Sequence, residues 1–235
     1  MTGEGKKETE PWIEAKHVSY AYAYDKGGKL AGKLGVSGIP HAFLVDPQGK
    51  IVWEGHPGSL SEAVVEKALA GALPKPLFEF PAAAAGVKSA LVKRNYAAAL
   101  AEAQKLGAEG AELERDVQGL VRARVQAMKS ALESGDLLGA QEAASALKKE
   151  LEGLPEAGEP GPVLARIEAD KNADKLIAAQ KKVRAIREQR LGKKGELEKA
   201  VADLRRIAKD LPGSFAAGEA EELAGILEKR QKAPK

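Results

Sequence analysis

Apolar residues recur every three or four positions through much of the second half of the chain. This spacing places them on one face of a helix, so it predicts amphipathic helices that pack on a shared apolar side. Long helices are predicted over about 109–133 and 163–190, with another over 197–211. The clearest apolar series are Leu113, Val117, Leu120, Val121, Val125, Met128 and Leu132, and then Leu197, Val201, Leu204, Ile207 and Leu211.

The first eighty residues carry shorter segments with a different pattern. Tyr20, Tyr22 and Tyr24 alternate as the side chains of a strand do. The apolar run 42–45 suits a strand buried on both faces, and turn residues at 46–49 join it to a partner strand. We predict helices at 7–16, at 29–34 and from Ser59 or Ser61 to Leu69, and strands at 18–24, 42–45 and 51–53. The predicted order is helix, strand, helix, β-hairpin, helix.

Three segments of the second half share one pattern. They begin at Asn95, Asp136 and Glu196, and each has a small or apolar residue four, eight and eleven positions later. These positions hold Ala99, Ala103 and Leu106; Ala140, Ala144 and Leu147; and Ala200, Leu204 and Ile207. The pattern resembles the second helix of tetratricopeptide repeats, in which small residues let paired helices approach closely, although the spacing is irregular. We therefore predict TPR-like α-helical hairpins.

Composition removes several kinds of chemistry. The 235 residues include no Cys, which excludes disulfides, thiolate metal sites and cysteine nucleophiles. His17, His41 and His56 lack the spacing of a zinc site, so no metal site is predicted. No run of 18 apolar residues occurs, and the first seven residues lack the apolar core of a signal peptide. We expect no membrane partner.

A basic stretch near residue 187 raises the possibility of nucleic-acid binding. The opposite side of the same segment is apolar, with Ile177, Val183 and Ile186, and no aromatic residues interleave for base stacking. The net charge of +3 neither demands nor excludes a polyanionic partner. A solvated helix face is the better interpretation, so we expect no nucleic-acid partner. The stretch comprises Lys181, Lys182, Arg184, Arg187, Arg190, Lys193 and Lys194.

The segment 34–57 carries a family resemblance. It has the sequence LGVSGIPHAFLVDPQGKIVWEGHP. This string, and the order of elements around it, resembles the thioredoxin-like redoxins, most closely the secreted or membrane-anchored thiol–disulfide oxidoreductases. The resemblance covers roughly residues 1–75 and is most specific between Gly35 and Gly55. It implies a partial thioredoxin-like fold, an α/β unit, followed by an all-α unit.

The resemblance implies a substrate-binding loop at Ile39, Pro40 and His41. In the family the proline matching Pro40 is cis and packs against the redox dithiol, and the backbone of the residue matching Ile39 pairs with the substrate. His41 either touches substrate or serves as a ladder residue beside the loop. The family exchanges disulfides outside the cytoplasm and needs no bound cofactor. We predict no catalytic residue in this chain, because its sequence contains no C-x-x-C motif.

The resemblance also implies that the chain begins part-way into the domain, after two central strands and the dithiol helix. Deleting those strands leaves unpaired backbone groups and an uncovered apolar face. We therefore expect either that residues 18–24 move over to pair with the hairpin or that this half is poorly packed. The predicted domains are 1–76, partial thioredoxin-like, and 77–235, TPR-like. Two interpretations of function follow. The chain is either an inactive form of a thiol–disulfide oxidoreductase or a non-catalytic module that binds a protein or peptide through its helical hairpins.

Overall fold

The described part of the chain is mostly helical and has one small antiparallel sheet. The computed structural model describes residues 3–17, 22–36, 38–47, 49–69, 72–73, 77–189 and 194–232. The chain divides into two compact units, Met1–Ala68 and Leu69–Lys235. The sequence places the boundary at residue 76, whereas Leu73 and Leu77 pack against the helical core and belong to the second unit.

The described residues of the first unit form three α-helices and a β-hairpin. Its elements are α1 (Lys6–Ala15), α2 (Lys29–Lys33), β1 (Ala42–Val45), β2 (Ile51–Gly55) and α3 (Glu62–Ala68). The predicted helices and the predicted hairpin are confirmed. Residues 18–21 of the predicted strand 18–24 lie outside the described residues. The rest of that prediction is wrong, because Tyr22 and Ala23 are not in a strand and Tyr24 forms only an isolated bridge.

The hairpin is built around a tight turn. Gly49 has φ +80° and donates its amide to the Asp46 carbonyl at 2.9 Å, while the Lys50 amide bonds Asp46 Oδ1 at 2.9 Å. This left-handed backbone conformation favours glycine, because residues with a Cβ rarely adopt a positive φ. In the ladder, Leu44 lies opposite Trp53, and an irregularity follows between Leu44 and Val45.

The first unit lacks a buried apolar core among its described residues. Only Thr9 and Asp25 are buried there, and both are polar. The prediction that 42–45 is buried on both faces is wrong. The helix α3 packs on β1, but Val45 remains 53% exposed and Val52 of β2 remains 48% exposed.

The second unit is a series of helices in which sequence neighbours pack together. Its helices are α4 (Ala85–Val92), α5 (Tyr96–Lys105), α6 (Ala111–Ser134), α7 (Leu137–Glu150), α8 (Pro160–Ala169), α9 (Ala173–Glu188), α10 (Lys194–Asp210) and α11 (Phe215–Lys232). From α4 to α8 each helix packs on the next, and α9, α10 and α11 form a second group. Short turns between consecutive helices make these contacts helical hairpins.

Two apolar cores fill this unit, and α9 contributes to both. The first core extends from Ala84 to Ile177 and the second from Ala179 to Leu227. Between them lies Gln180, a buried polar residue on the same helix. Its amide oxygen accepts the Leu138 amide at 2.7 Å, and its amide nitrogen donates to the Gly135 carbonyl at 2.8 Å. Gln180 therefore bonds both sides of the turn between α6 and α7.

The three repeated segments occupy comparable positions in the packing. Their small or apolar residues are buried, except Leu106, which is partly buried. Asn95 and Asp136 cap α5 and α7 through side-chain bonds to Ala98 and Gly139 amides at 2.9 Å. The third segment differs, because Glu196 lies inside α10 rather than before it.

The predicted helix 109–133 is confirmed as α6, but the predicted helix 163–190 is wrong as a single element. It is divided into α8 and α9 at residues 170–172. Asp170 Oδ1 accepts the Asn172 amide at 2.8 Å, and the Ala173 amide bonds the Asp170 carbonyl at 2.9 Å. These local bonds compete with the helical pattern and end α8.

Candidate functional site

The loop that precedes β1 contains all three predicted binding residues. The peptide bond between Ile39 and Pro40 is cis, as predicted. Ile39 is 93% exposed, and Pro40 and His41 are also exposed. An isoleucine this exposed has no packing role in the first unit. The loop therefore presents an apolar side chain and adjacent backbone to solvent.

His41 lies against the hairpin rather than over the loop. Its ring centroid is 4.8 Å from that of Phe43, and the two ring planes are inclined by 52°. The contact joins the last loop residue to the second residue of β1. The loop is thus continuous with the strand, which starts at Ala42.

The helix before the loop is fixed at both ends. Asp25 Oδ1 and Oδ2 accept the Leu30 and Ala31 amides at 2.9 and 2.8 Å. These backbone hydrogen bonds hold the pKa of Asp25 below its usual value, although burial opposes this. At the other end Gly35 has φ +74°, and the Val36 amide bonds the Ala31 carbonyl at 3.0 Å. The loop therefore leaves α2 in a defined direction.

The loop exposes backbone groups, an isoleucine side chain and an imidazole ring. The chain has no Cys, so no thiolate is present for disulfide exchange. In the part of the chain that the structure describes, no cluster of three or more His, Asp or Glu side chains is arranged to hold a metal ion. Backbone groups, the Ile39 side chain and the His41 ring are what this surface presents.

Trp53 and His56, two other residues singled out in the first unit, lie in the sheet and in a turn after it. Trp53 is half-buried in β2, opposite Leu44, which agrees with packing in the sheet rather than a binding surface. His56 is exposed, and its Nδ1 accepts the Gly58 amide at 3.1 Å in a short 3-10 turn. Neither side chain lies in the 39–41 loop.

Three residues of the basic stretch form ion pairs with neighbouring helices. Lys182 pairs with Asp203 at 3.1 Å, Arg184 with Glu142 at 2.6 Å and Arg187 with Glu219 at 3.1 Å. These carboxylates belong to α10, α7 and α11. Lys194 lies 3.9 Å from Glu198 on its own helix, and residues 190–193 lie outside the described residues. The basic side chains of α9 therefore connect helices within the second unit.

The sequence analysis missed a polar cluster between α5, α6 and α7. Arg124 donates to the buried Tyr96 hydroxyl, its guanidinium carbon lies 5.7 Å from the Tyr96 ring centroid, and its Nη1 lies 2.8 Å from Glu150 Oε2. Glu150 Oε1 is 3.4 Å from Arg94 Nη1. Burial raises the pKa of Tyr96, although Arg124 opposes this. Tyr96 and Glu150 are 26 or more positions from Arg124 along the chain, so no local sequence pattern indicates that they contact it.

A cleft of about 310 Å³ lies where α8 and the turns α6–α7 and α10–α11 meet. Leu132, Leu176 and Phe215 supply apolar lining, while Arg166 and Asp170 supply charges of opposite sign. The described part of the chain contains no helix that is long and apolar enough to cross a bilayer. Comparison with protein-family models, with curated proteins and with solved structures finds no match to this chain.

Proposed function

We propose that the first unit is the cis-proline half of a thioredoxin-like fold and that it binds extended polypeptide without exchanging disulfides. The observation that carries the proposal is the exposed loop 39–41 directly before β1, in which Ile39 is 93% exposed. The order helix, loop, β-hairpin, helix supports it. Residues 39–41 would contact the peptide, and the helical hairpins of the second unit would be TPR-like.

The absence of thiols determines the chemistry of this proposal. A redoxin of the resembled kind cleaves a disulfide by thiolate attack, and two electrons pass from its dithiol, which becomes a disulfide, to the disulfide that is reduced. This chain has no sulfur nucleophile, so its contribution is recognition alone. Purified protein should reduce insulin disulfides with dithiothreitol no faster than dithiothreitol by itself. Turnover above that background would contradict the proposal.

Binding is tested separately with a substrate that cannot exchange. Reduced, carboxymethylated α-lactalbumin is unfolded and has no free thiol, so any complex reflects recognition of the chain. Ile39→Asp places a charge at the exposed loop position and should weaken binding. Val92→Asp is the matched control, because Val92 is also exposed, at 67%, but lies on α4. Equal effects of the two changes would exclude the loop as the site.

A second function is favoured by the cleft in the helical unit. Its apolar lining and adjoining charges fit a side chain of a partner peptide, so a non-catalytic interaction module based on the helices is the alternative. Arg166→Glu changes the charge at the edge of the cleft. If that substitution weakens binding of carboxymethylated α-lactalbumin while Ile39→Asp does not, the helices rather than the loop hold the partner.

A further inference from the structure

The cleft of the second unit lies where its two groups of helices meet. Leu132 of α6 and Leu176 of α9 line it and pack against the first apolar core. Phe215, also in the lining, begins α11, which contributes to the second core. In the turn between α6 and α7, a Cβ added at Gly135 would lie 3.6 Å from the Phe215 Cβ. A ligand held in this cleft therefore contacts both groups of helices.

The size of the cleft indicates a small ligand. Its volume of about 310 Å³ is at the lower end of the range of roughly 300–1,000 Å³ that is typical of small-molecule pockets. Leu132, Leu176 and Phe215 are only partly buried, so each has apolar surface left for a ligand to cover. Covering such surface with an apolar group is favourable.

The cleft also carries charges of both signs. Arg166 contributes a guanidinium, and Glu133 and Asp170 contribute carboxylates. In the part of the chain that the structure describes, neither Arg166 nor Glu133 forms an ion pair or a side-chain hydrogen bond. One oxygen of Asp170 accepts the Asn172 amide at 2.8 Å. Positive and negative groups thus lie in one cleft without neutralising each other.

These charges distinguish between two kinds of occupant. An apolar side chain from the middle of a peptide has no charge of its own, so the polar groups of the cleft would gain no charged partner from it. An amino acid at neutral pH has a carboxylate and an ammonium group on the carbon atom that carries its side chain. Hydrogen bonds between oppositely charged groups are stronger than those between neutral ones. The cleft is therefore more complementary to a free apolar amino acid.

We propose that this cleft binds a free apolar amino acid in its zwitterionic form. The α-carboxylate bonds the Arg166 guanidinium, the α-ammonium is held by Glu133 and Asp170, and the side chain packs against Leu176 and Phe215. This binding does not depend on the 39–41 loop. It uses the cleft that the alternative function assigns to a partner peptide and gives that cleft a different occupant.

The ligand side is tested with L-phenylalanine and three relatives, each titrated against the ¹⁵N-labelled full chain by NMR. L-Phenylalaninamide lacks the carboxylate, N-acetyl-L-phenylalanine lacks the ammonium, and N-acetyl-L-phenylalaninamide lacks both. L-Phenylalanine should bind with a Kd of about 1 mM, as suits a small ligand in an open cleft, and should shift the amide resonances of Gly135 and Leu176. Each singly modified ligand should bind about tenfold more weakly, because one charged contact is lost.

The protein side is tested by removing one charge at a time. Arg166→Gln should weaken L-phenylalanine about tenfold and leave L-phenylalaninamide unchanged, since the amide has no carboxylate to lose. Glu133→Gln should weaken L-phenylalanine and leave N-acetyl-L-phenylalanine unchanged. Arg122→Gln and Glu168→Gln are the matched controls, because both residues are exposed and neither lines the cleft. The controls should bind all four ligands as the parent protein does.

Three results would overturn the inference. The first is no saturable binding of L-phenylalanine at about 10 mM, and the second is equal weakening by Arg166→Gln and Arg122→Gln. The third is N-acetyl-L-phenylalaninamide binding as tightly as L-phenylalanine, which would show that the cleft takes an uncharged residue within a peptide. Loss of the Ile39→Asp effect on carboxymethylated α-lactalbumin would instead contradict the proposed function of the loop and leave this inference standing.

Discussion

At the scale of single residues, more of the hydrogen bonds in the hairpin than in the helical unit can be predicted from local sequence. Asp46 and Gly49 make the turn between β1 and β2 with bonds that span three or four positions, and such turns are visible in sequence. The cis bond before Pro40 was predicted from resemblance, not from local propensity. Gln180 was not predicted, because its partners Gly135 and Leu138 are more than 40 positions away. Contacts of this range depend on how helices pack.

Gly110 permits the close turn between α5 and α6. A Cβ at this position would lie 1.8 Å from the Ala103 carbonyl oxygen, so backbone would have to move. We expect Gly110→Ala to lower the free energy of unfolding by about 1–3 kcal/mol. Gly119→Ala is the control, since a Cβ there meets nothing within 4 Å, and alanine should stabilise that helix by about 0.5–1 kcal/mol. Urea unfolding measures the free energy of unfolding of both variants. If both substitutions change it in the same direction, the predicted clash at Gly110 is wrong.

At the scale of elements, the sequence predicts which segments form but not every boundary. The apolar spacing continues from Val163 to Ile186, so it predicts one helix where the structure has α8 and α9. No Gly or Pro marks residues 170–172. The break depends on Asp170 bonding the Asn172 amide, a local turn that periodicity does not report.

The buried Gln180 side chain should stabilise the turn between α6 and α7. In Gln180→Leu the Leu138 amide loses its acceptor inside the protein, which should cost about 1–3 kcal/mol of unfolding free energy. The Gly135 carbonyl keeps the Leu137 amide as a donor at 2.9 Å, so it adds little to the cost. Gln126→Leu is the control, because Gln126 is exposed on α6. If chemical denaturation shows that the two variants lose equal free energy of unfolding, the hydrogen bonds of Gln180 do not contribute to stability.

The cluster of Tyr96, Arg124 and Glu150 joins α5, α6 and α7 and should make stability depend on alkaline pH. Burial raises the folded-state pKa of Tyr96 above its unfolded value. The stability linked to this shift is present below the unfolded pKa, near 10, and is lost as pH rises through the folded pKa. Tyr96→Phe should therefore flatten the fall in unfolding free energy above about pH 10.

That experiment separates the pKa effect from a lost hydrogen bond. At neutral pH Tyr96→Phe should cost about 1–3 kcal/mol, because the Arg124 guanidinium loses its phenol partner. Tyr22→Phe is the control, since Tyr22 is exposed. A variant that retains the full alkaline slope of the parent protein would show that another group, such as a lysine, produces it.

At the scale of the whole molecule, the two units differ in how their apolar residues are used. The second unit buries them in two cores that sequence periodicity largely predicts, with Val117 and Leu204 fully enclosed. The first unit leaves many of its described apolar residues exposed. A sequence pattern identifies residues suited to a core, but it does not establish that enough neighbouring elements exist to cover them.

This difference should appear as unequal local stability in amide hydrogen exchange. Helices α6 and α10 lie against apolar cores, so opening their amides exposes that surface to water, and exchange should be slow at Val121 and Leu204. The amides of β1 and β2 belong to a two-stranded sheet, a structure that is marginally stable without further cover. Exchange at Leu44 and Trp53 should therefore be distinctly faster, since opening there costs less free energy. Peptide-resolved mass spectrometry at two pH values distinguishes fast opening from intrinsic exchange rates. Equally slow amide exchange in 42–55 and in α6 would mean that a further strand, from a second copy or elsewhere, pairs with β1.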